Sequence, residues 1–213
     1  MTQELTETVA RRVAASLLEI GAIRLRPQEP FTWSSGWKSP IYCDNRLALS
    51  FPSVRTYIKN ALAERIRAAF PAVETIAGVA TAGIPQGALV ADALQLPFLY
   101  VRAKPKEHGM GNLIEGRVSA GQRVVVIEDL VSTGGSSLKV VDALREAEAD
   151  VLGMAAIFTY GFDEAERNFR DKKVPLVTLS DYSHLLAVAQ SNFSEEELAS
   201  LSAWRQSPDT WKK

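Results

Sequence analysis

The chain has 213 residues, 46% hydrophobic and 23% charged, with a formal net charge of −1. That suits one α/β domain with a full core. It provides no general field for nucleic acid or a membrane surface, so any anion site has to be built locally. Cys43 is the single cysteine and His108 and His184 are the only histidines, which excludes an intramolecular disulfide and any Cys- or His-rich metal cluster. No stretch approaches the roughly 20 apolar residues of a membrane span. The acidic start, with Glu4 and Glu7, lacks a leader pattern. A soluble cytoplasmic protein that binds neither nucleic acid nor membrane is expected.

In chain order, Leu5, Val9, Val13, Leu17 and Ile20 recur near helical period and predict an amphipathic, core-facing helix over about 3–20. Residues 27–50 hold three prolines, a Ser-Ser-Gly turn and two tryptophans, and read as short strands around 31–33 and 40–43 joined by a turn. From 53 the chain alternates. Helices are predicted over 53–69, 84–95, 136–148, 163–172 and 183–190. Strands are predicted over 75–80, 97–102, 123–128, 151–159 and 174–180. A glycine-bearing loop spans 103–120, and 194–213 reads as a terminal helix with an exposed tail. Such alternation predicts an α/β fold, a parallel sheet with helices on both faces. Ligands bind such sheets outside the carboxyl ends of the strands, where three loops should converge: Ala80–Gly83, Arg102–Gly111 and Glu128–Ser137.

The third loop belongs to the most informative segment, VVVIEDLVSTGGSS over 124–137. Val124 to Ile127 read as a buried strand. Glu128 and Asp129 follow at the expected rim, then a hydroxyl- and glycine-rich loop and a helix. The loop and helix start offer N–H groups to a phosphate, and the acids can accept from sugar hydroxyls. The loop is neither a Walker A loop nor G-x-G-x-x-G, and a βα turn capped by serines is the plain alternative. The second loop puts Arg102, Lys104, Lys106 and His108 within seven positions, a pattern suited to phosphate. In the first, Gly83 would let the backbone approach an anion closely.

The segment Ile127–Ser136 resembles the phosphoribosyl diphosphate (PRPP) signature of type I phosphoribosyltransferases. FTWSSGWKSPIYCDNR (31–46) is similar to the N-terminal lobe of the orotate phosphoribosyltransferases, and RAKPKEHGMGNLIEG (102–116) to their catalytic loop. IFTYGF (157–162) and LVTLSDYSHLLAVA (176–189) resemble the bacterial form. The resemblance implies a single domain over 1–213: an N-terminal α+β hood over about 1–50, a Rossmann-like core sheet over about 51–190 and a C-terminal helix and tail.

It also implies transfer of the phosphoribosyl group of PRPP to orotate with Mg²⁺, in pyrimidine (UMP) biosynthesis. Glu128 and Asp129 would hold the ribose hydroxyls. Leu130, Val131, Ser132, Thr133, Gly134, Gly135 and Ser136 would wrap the 5′-phosphate, with Ser132 also reaching orotate. Thr81, Ala82 and Gly83 would face the diphosphate, and Arg102, Lys106 and His108 would bind it. Lys106, Arg102, His108 and Asp129 are the catalytic candidates. No direct protein ligand to Mg²⁺ is implied; the ion arrives on PRPP, with Asp129 touching it at most through water. The loop crosses to a neighbouring subunit in this family, which implies a homodimer.

Some members carry a substrate lysine where this chain has Ser34, a diphosphate-turn lysine where it has Ala82, a lysine after the loop arginine where it has Ala103, and an orotate-gripping arginine where it has Tyr160. Lys38, Arg46 or the Ser35-Gly36 turn are the remaining candidates for the orotate carboxylate. Trp33, Trp37 and Tyr42 either cover a flat base or pack the lobe. Cys43 reads as buried filler, Trp204 and Trp211 as packing, and His184 as a surface helix cap. The alternatives are transfer to a purine or uracil, a non-catalytic PRPP-sensing regulator, and a plain sugar-phosphate binding domain.

Overall fold

A computed structural model of the protein describes residues 2–33, 36–104 and 113–212. Helix α1 (Gln3–Glu19) starts at the Thr2 cap. Its buried stripe, Ala10, Val13, Ala14 and Leu17, has the i, i+3, i+4, i+7 spacing of a core-facing helix. Two small ribbons follow. β1 (Ile23–Leu25) pairs antiparallel with β4 (Ile41–Cys43), and β2 (Phe31–Thr32) with β3 (Lys38–Ser39). A 3-10 turn over Asn45–Ser50 leads into α2 (Pro52–Ala69), which begins on proline, a residue whose missing N–H costs nothing there.

The core then alternates: β5 (Thr75–Val79), α3 (Gly83–Leu94), β6 (Phe98–Val101), β7 (Ile114–Glu115), β8 (Arg123–Val131), α4 (Gly135–Glu146), β9 (Asp150–Thr159), α5 (Asp163–Asp171), β10 (Leu176–Asp181), α6 (Tyr182–Ala189) and α7 (Glu195–Gln206). The sheet order is β10-β9-β8-β5-β6-β7, all parallel except β7. From β5 the chain winds one way to β6, and from β8 the other way to β9 and β10. The order therefore reverses between β5 and β8, where such a sheet opens a ligand crevice.

Two apolar cores sandwich the sheet. Val125 and Ile127 join α1, α2, α3 and α6 on one face, while Val124 and Val126 join α4 and α5 on the other. This is the period-two alternation of a strand buried on both sides. Each fully buried valine or isoleucine contributes roughly 1.5–3 kcal/mol, so β8 is among the best-anchored segments of the molecule.

Three differences from the sequence reading have local causes. β1 and β7 are too short to register as alternating patterns, and each exists through its partner. β8 runs on through Glu128 to Val131 because β9 keeps pairing with it that far, so the acids lie within the strand rather than beyond it. His184 is not itself the helix cap. Asp181 caps α6, accepting from the N–H groups of Ser183 and His184. The His184 ring lies between Asp181 Oδ1 (2.9 Å) and Glu7 Oε2 (2.8 Å), linking α6 to α1. Burial alone would lower the imidazole pKa, but hydrogen bonds to Glu7 and Asp181 outweigh it and raise the value above that of free histidine.

Candidate active site

Past Ile127 the acid pair takes shape. Glu128 is 6% exposed. Its Oε2 accepts from the Ser137 hydroxyl at 2.7 Å and its Oε1 from the Asp129 N–H at 3.0 Å. Burial, and then the charge of Asp129, push its carboxyl up to about 8. Burial also raises Asp129, against hydrogen bonds that pull it down. Ser137 therefore serves the acid rather than the helix start, and α4 has no side-chain cap. The plain alternative of a serine-capped turn does not hold.

The loop after β8 is fixed through its carbonyls. Those of alternate residues are each taken up from the protein side: Asp129 by Asn45 Nδ2 (2.7 Å), Val131 by Thr159 Oγ1 (3.1 Å) and the Tyr160 N–H (3.2 Å), and Thr133 by Asn168 Nδ2 (2.9 Å). Gly134 has φ +81°, and a Cβ there would stand 2.6 Å from Phe169, so glycine is required twice over. Ser132 and Thr133 line the adjoining cavity, and Gly135 and Ser136 open α4 at the surface. Such a turn leading into an uncapped helix start suits a phosphate.

The loop after β5 is short. Thr81 is exposed and Ala82 partly so, and α3 also lacks a side-chain cap. Gly83 has a different reason from the one its sequence suggests. It is buried, and a Cβ there would collide with the Ile127 carbonyl of β8. The glycine lets α3 press onto the strand that carries the acids.

Beside Ser132 lies a cavity of about 700 Å³. Its walls are Thr32, Trp33, Trp37, Tyr42 and Cys43 of the N-terminal ribbons, Leu130, Ser132 and Thr133 of the β8 end, and Tyr160 and Glu164. Trp33 lies tilted against Tyr160, ring centres 5.3 Å apart, and Trp204 meets both rings edge-on. The aromatic residues of the ribbons thus form a slot fit for a flat ring. Burial pushes the Cys43 thiol well up, and it donates to Asn45 Oδ1 at 3.3 Å, as expected of an inert residue.

No lysine or arginine is among those lining residues. Lys38 bonds Thr32 Oγ1 at 2.9 Å, Arg46 forks onto Asp44 at 2.6 and 3.0 Å, and the Gly36 N–H closes its own turn on Trp33. Ser34 and Ser35 lie outside the described residues. So do Lys106 and His108. Arg102 is described. It leaves β6, which β5 separates from β8, and its guanidinium lies 3.6 Å from Glu115 on β7. Within one chain, then, the β5 and β8 loops lie side by side at the crevice, and Arg102 follows β6, on the other side of β5 from the acids. Sequence reasoning missed Asn45, Ser137 and Asn168 as supports of the loop. Asn45 and Asn168 meet partners 84 and 35 residues away, and the bond of Ser137 back to Glu128 depends on the turn between them, so no local pattern marks their roles.

The phosphoribosyl transferase domain family matches residues 52–188. The chain is 58% identical over 205 residues to an orotate phosphoribosyltransferase of Cytophaga hutchinsonii, covering 95% of this chain and 98% of that protein. Its fold superposes on the crystal structure of orotate phosphoribosyltransferase from Aeropyrum pernix with a TM-score of 0.73 at 31% identity, covering 84% of this chain and 98% of that one. It also superposes on the Mycobacterium tuberculosis enzyme solved with PRPP, with a TM-score of 0.65 at 23% identity, covering 83% and 98%. Acid pair, glycine loop, aromatic slot and these likenesses agree: the chain belongs to the orotate phosphoribosyltransferases, enzymes of the type I phosphoribosyltransferase fold.

Proposed function

We propose that the protein transfers the 5-phosphoribosyl group of PRPP to orotate, giving orotidine 5′-phosphate and diphosphate in pyrimidine biosynthesis. The observation that carries this reading is the meeting, at Ser132, of the aromatic slot with the acid–hydroxyl–glycine loop. A flat base in the slot and a ribose phosphate on the loop bring their reacting atoms together, and alignment of two bound reactants supplies a large share of the rate. Glu128 and Asp129 accept from the ribose hydroxyls. Ser132, Thr133 and the N–H groups from Gly134 to Ser136 hold the 5′-phosphate. Thr81, Ala82 and Gly83 face the diphosphate.

Bond breaking at the anomeric carbon leaves an oxocarbenium-like sugar and a diphosphate that gains negative charge. Lys106, Arg102 and His108 stabilise that charge as it develops. Among the described residues no three histidine, cysteine or carboxylate side chains gather as a metal cage. Two acids alone suit a hydrated Mg²⁺ carried on the phosphates of PRPP, which Asp129 would hold through water. When bound, it supplies positive charge to the departing diphosphate.

A spectrophotometric assay tests the reading: orotate absorbance falls when PRPP and Mg²⁺ are both present and not without PRPP. Turnover of adenine or uracil with orotate untouched refutes it. Among the described residues no helix is long and apolar enough to cross a membrane, in keeping with a cytoplasmic enzyme.

In this reading the basic loop acts on the neighbouring subunit of a homodimer. Lys106→Ala then lowers kcat by about a hundredfold. Dimers mixed from Lys106→Ala and Asp129→Asn subunits regain one working site. Mixed dimers no more active than their parents would rule out sharing across the interface.

A further inference from the structure

Pairing between β5 and β8 ends at Gly78 and Ile127, while β9 accompanies β8 to Val131. Beyond Ile127 the edge of β8 that faced β5 is open. Pairing with β9 is also interrupted at Asp129, since Glu128 faces Ala156 and Leu130 faces Phe158 with no paired position between them. Buried backbone groups left unpaired are costly. Those of Asp129 are satisfied here by side chains: the N–H donates to Glu128 Oε1 at 3.0 Å, and the C=O accepts from Asn45 Nδ2 at 2.7 Å.

Asn45 is 1% exposed and comes from the start of the 3-10 turn, 84 residues earlier in the chain. Its own Oδ1 is held by the Cys43 thiol, in the wall of the aromatic cavity. Its amide thus holds the peptide between Asp129 and Leu130, just past the acid pair.

We propose that Asn45 is a positioning residue for the ribose-binding acids. It fixes the Asp129 peptide, and with it the direction of both carboxylates, from the lobe that carries the base cavity. The proposal rests on the PRPP reading above. A carboxylate pair must meet two hydroxyls at hydrogen-bond distance, and only a held backbone keeps it there when the sheet no longer does. Asn45 touches no reacting atom; its effect passes through Asp129.

Asn45→Ala and Asn45→Asp test it together. Aspartate keeps the shape of asparagine but turns an oxygen toward the Asp129 carbonyl, so a residue that merely filled space would tolerate it. Leu144→Ala, a buried change in the opposite core, gives a loss of melting temperature with no link to the acids. The expected result is a KM for PRPP raised about tenfold in both Asn45 variants, with KM for orotate unchanged, and both values at the parent level in Leu144→Ala. PRPP binding by calorimetry, without any base, weakens by the same factor. A parent-like KM for PRPP in Asn45→Asp overturns the proposal. So does an equal rise of both KM values matched by Leu144→Ala. If the parent protein leaves orotate untouched, the functional reading fails, while the calorimetric comparison still decides the role of Asn45.

Discussion

Asp129→Asn is expected to lower kcat/KM for PRPP while the melting temperature at pH 9 stays at or above that of the parent. Hydrogen bonds to a charged group are worth about 1.5–3 kcal/mol each, so the loss is about tenfold to a hundredfold. Stability moves the other way because the site is costly to fold. Two adjacent carboxylates, Glu128 buried and Asp129 half-buried, lie at the end of β8, and burial raises both. Glu128 titrates near 8 in the folded chain against an ordinary 4.5. Between those values the folded state keeps a proton that the unfolded state releases. Stability from this group is therefore full below about 4.5 and declines as pH rises through about 8. Removing the neighbouring charge lets Glu128 titrate lower and flattens that decline. Thermal melts from pH 5 to 9, with steady-state kinetics at pH 8, measure both effects. A large loss of melting temperature in Asp129→Asn would make the acid structural instead.

Gly134→Ala is expected to fail in both stability and activity. Its φ of +81° costs an alanine about 1–2 kcal/mol, and the new methyl meets the Phe169 ring at 2.6 Å, adding roughly 1–3 kcal/mol of overpacking. The loop can yield only by moving Ser132 and Thr133. A displacement near 1 Å in positioning groups costs about a hundredfold in rate. Gly135→Ala is the contrast. It lies next in the chain with nothing closer than Thr133 Oγ1 at 3.9 Å, and it should melt with the parent. Equal melting temperatures for the two variants would show that the turn escapes both the backbone strain at φ +81° and the contact with Phe169.

Much of this architecture is legible in the sequence, because its signals are local and repeated. The valine run of β8, the helical stripe of α1 and the β–α alternation from 53 onward each repeat a period that only one kind of element satisfies. The acids and the glycine loop are legible because they are contiguous. The supports are not. Asn45 meets Asp129 only after the chain has folded the ribbons over the sheet, and Gly83 is a glycine because of a carbonyl in another strand. The length of β8 was also hidden, since it depends on how far β9 runs beside it. Lys106 and His108 carry the sharpest sequence expectation and lie outside the described residues, so mutation rather than geometry decides their part.

The cavity has no lysine or arginine in its described wall, while the acids stand apart on β8. In the proposed function the two substrates would meet at Ser132 and Thr133 but be gripped by different kinds of force. Sugar and phosphate would rest on a scaffold in which Gly83 and Gly134 leave no room for a side chain. The flat ring would be read by the shape of a lobe made of two-residue and three-residue ribbons. A new base preference can be acquired by exchanging a handful of aromatic residues near the N-terminus, with the ribose machinery inherited intact. Asn45, which holds the Asp129 carbonyl from within the lobe, marks a limit of that freedom.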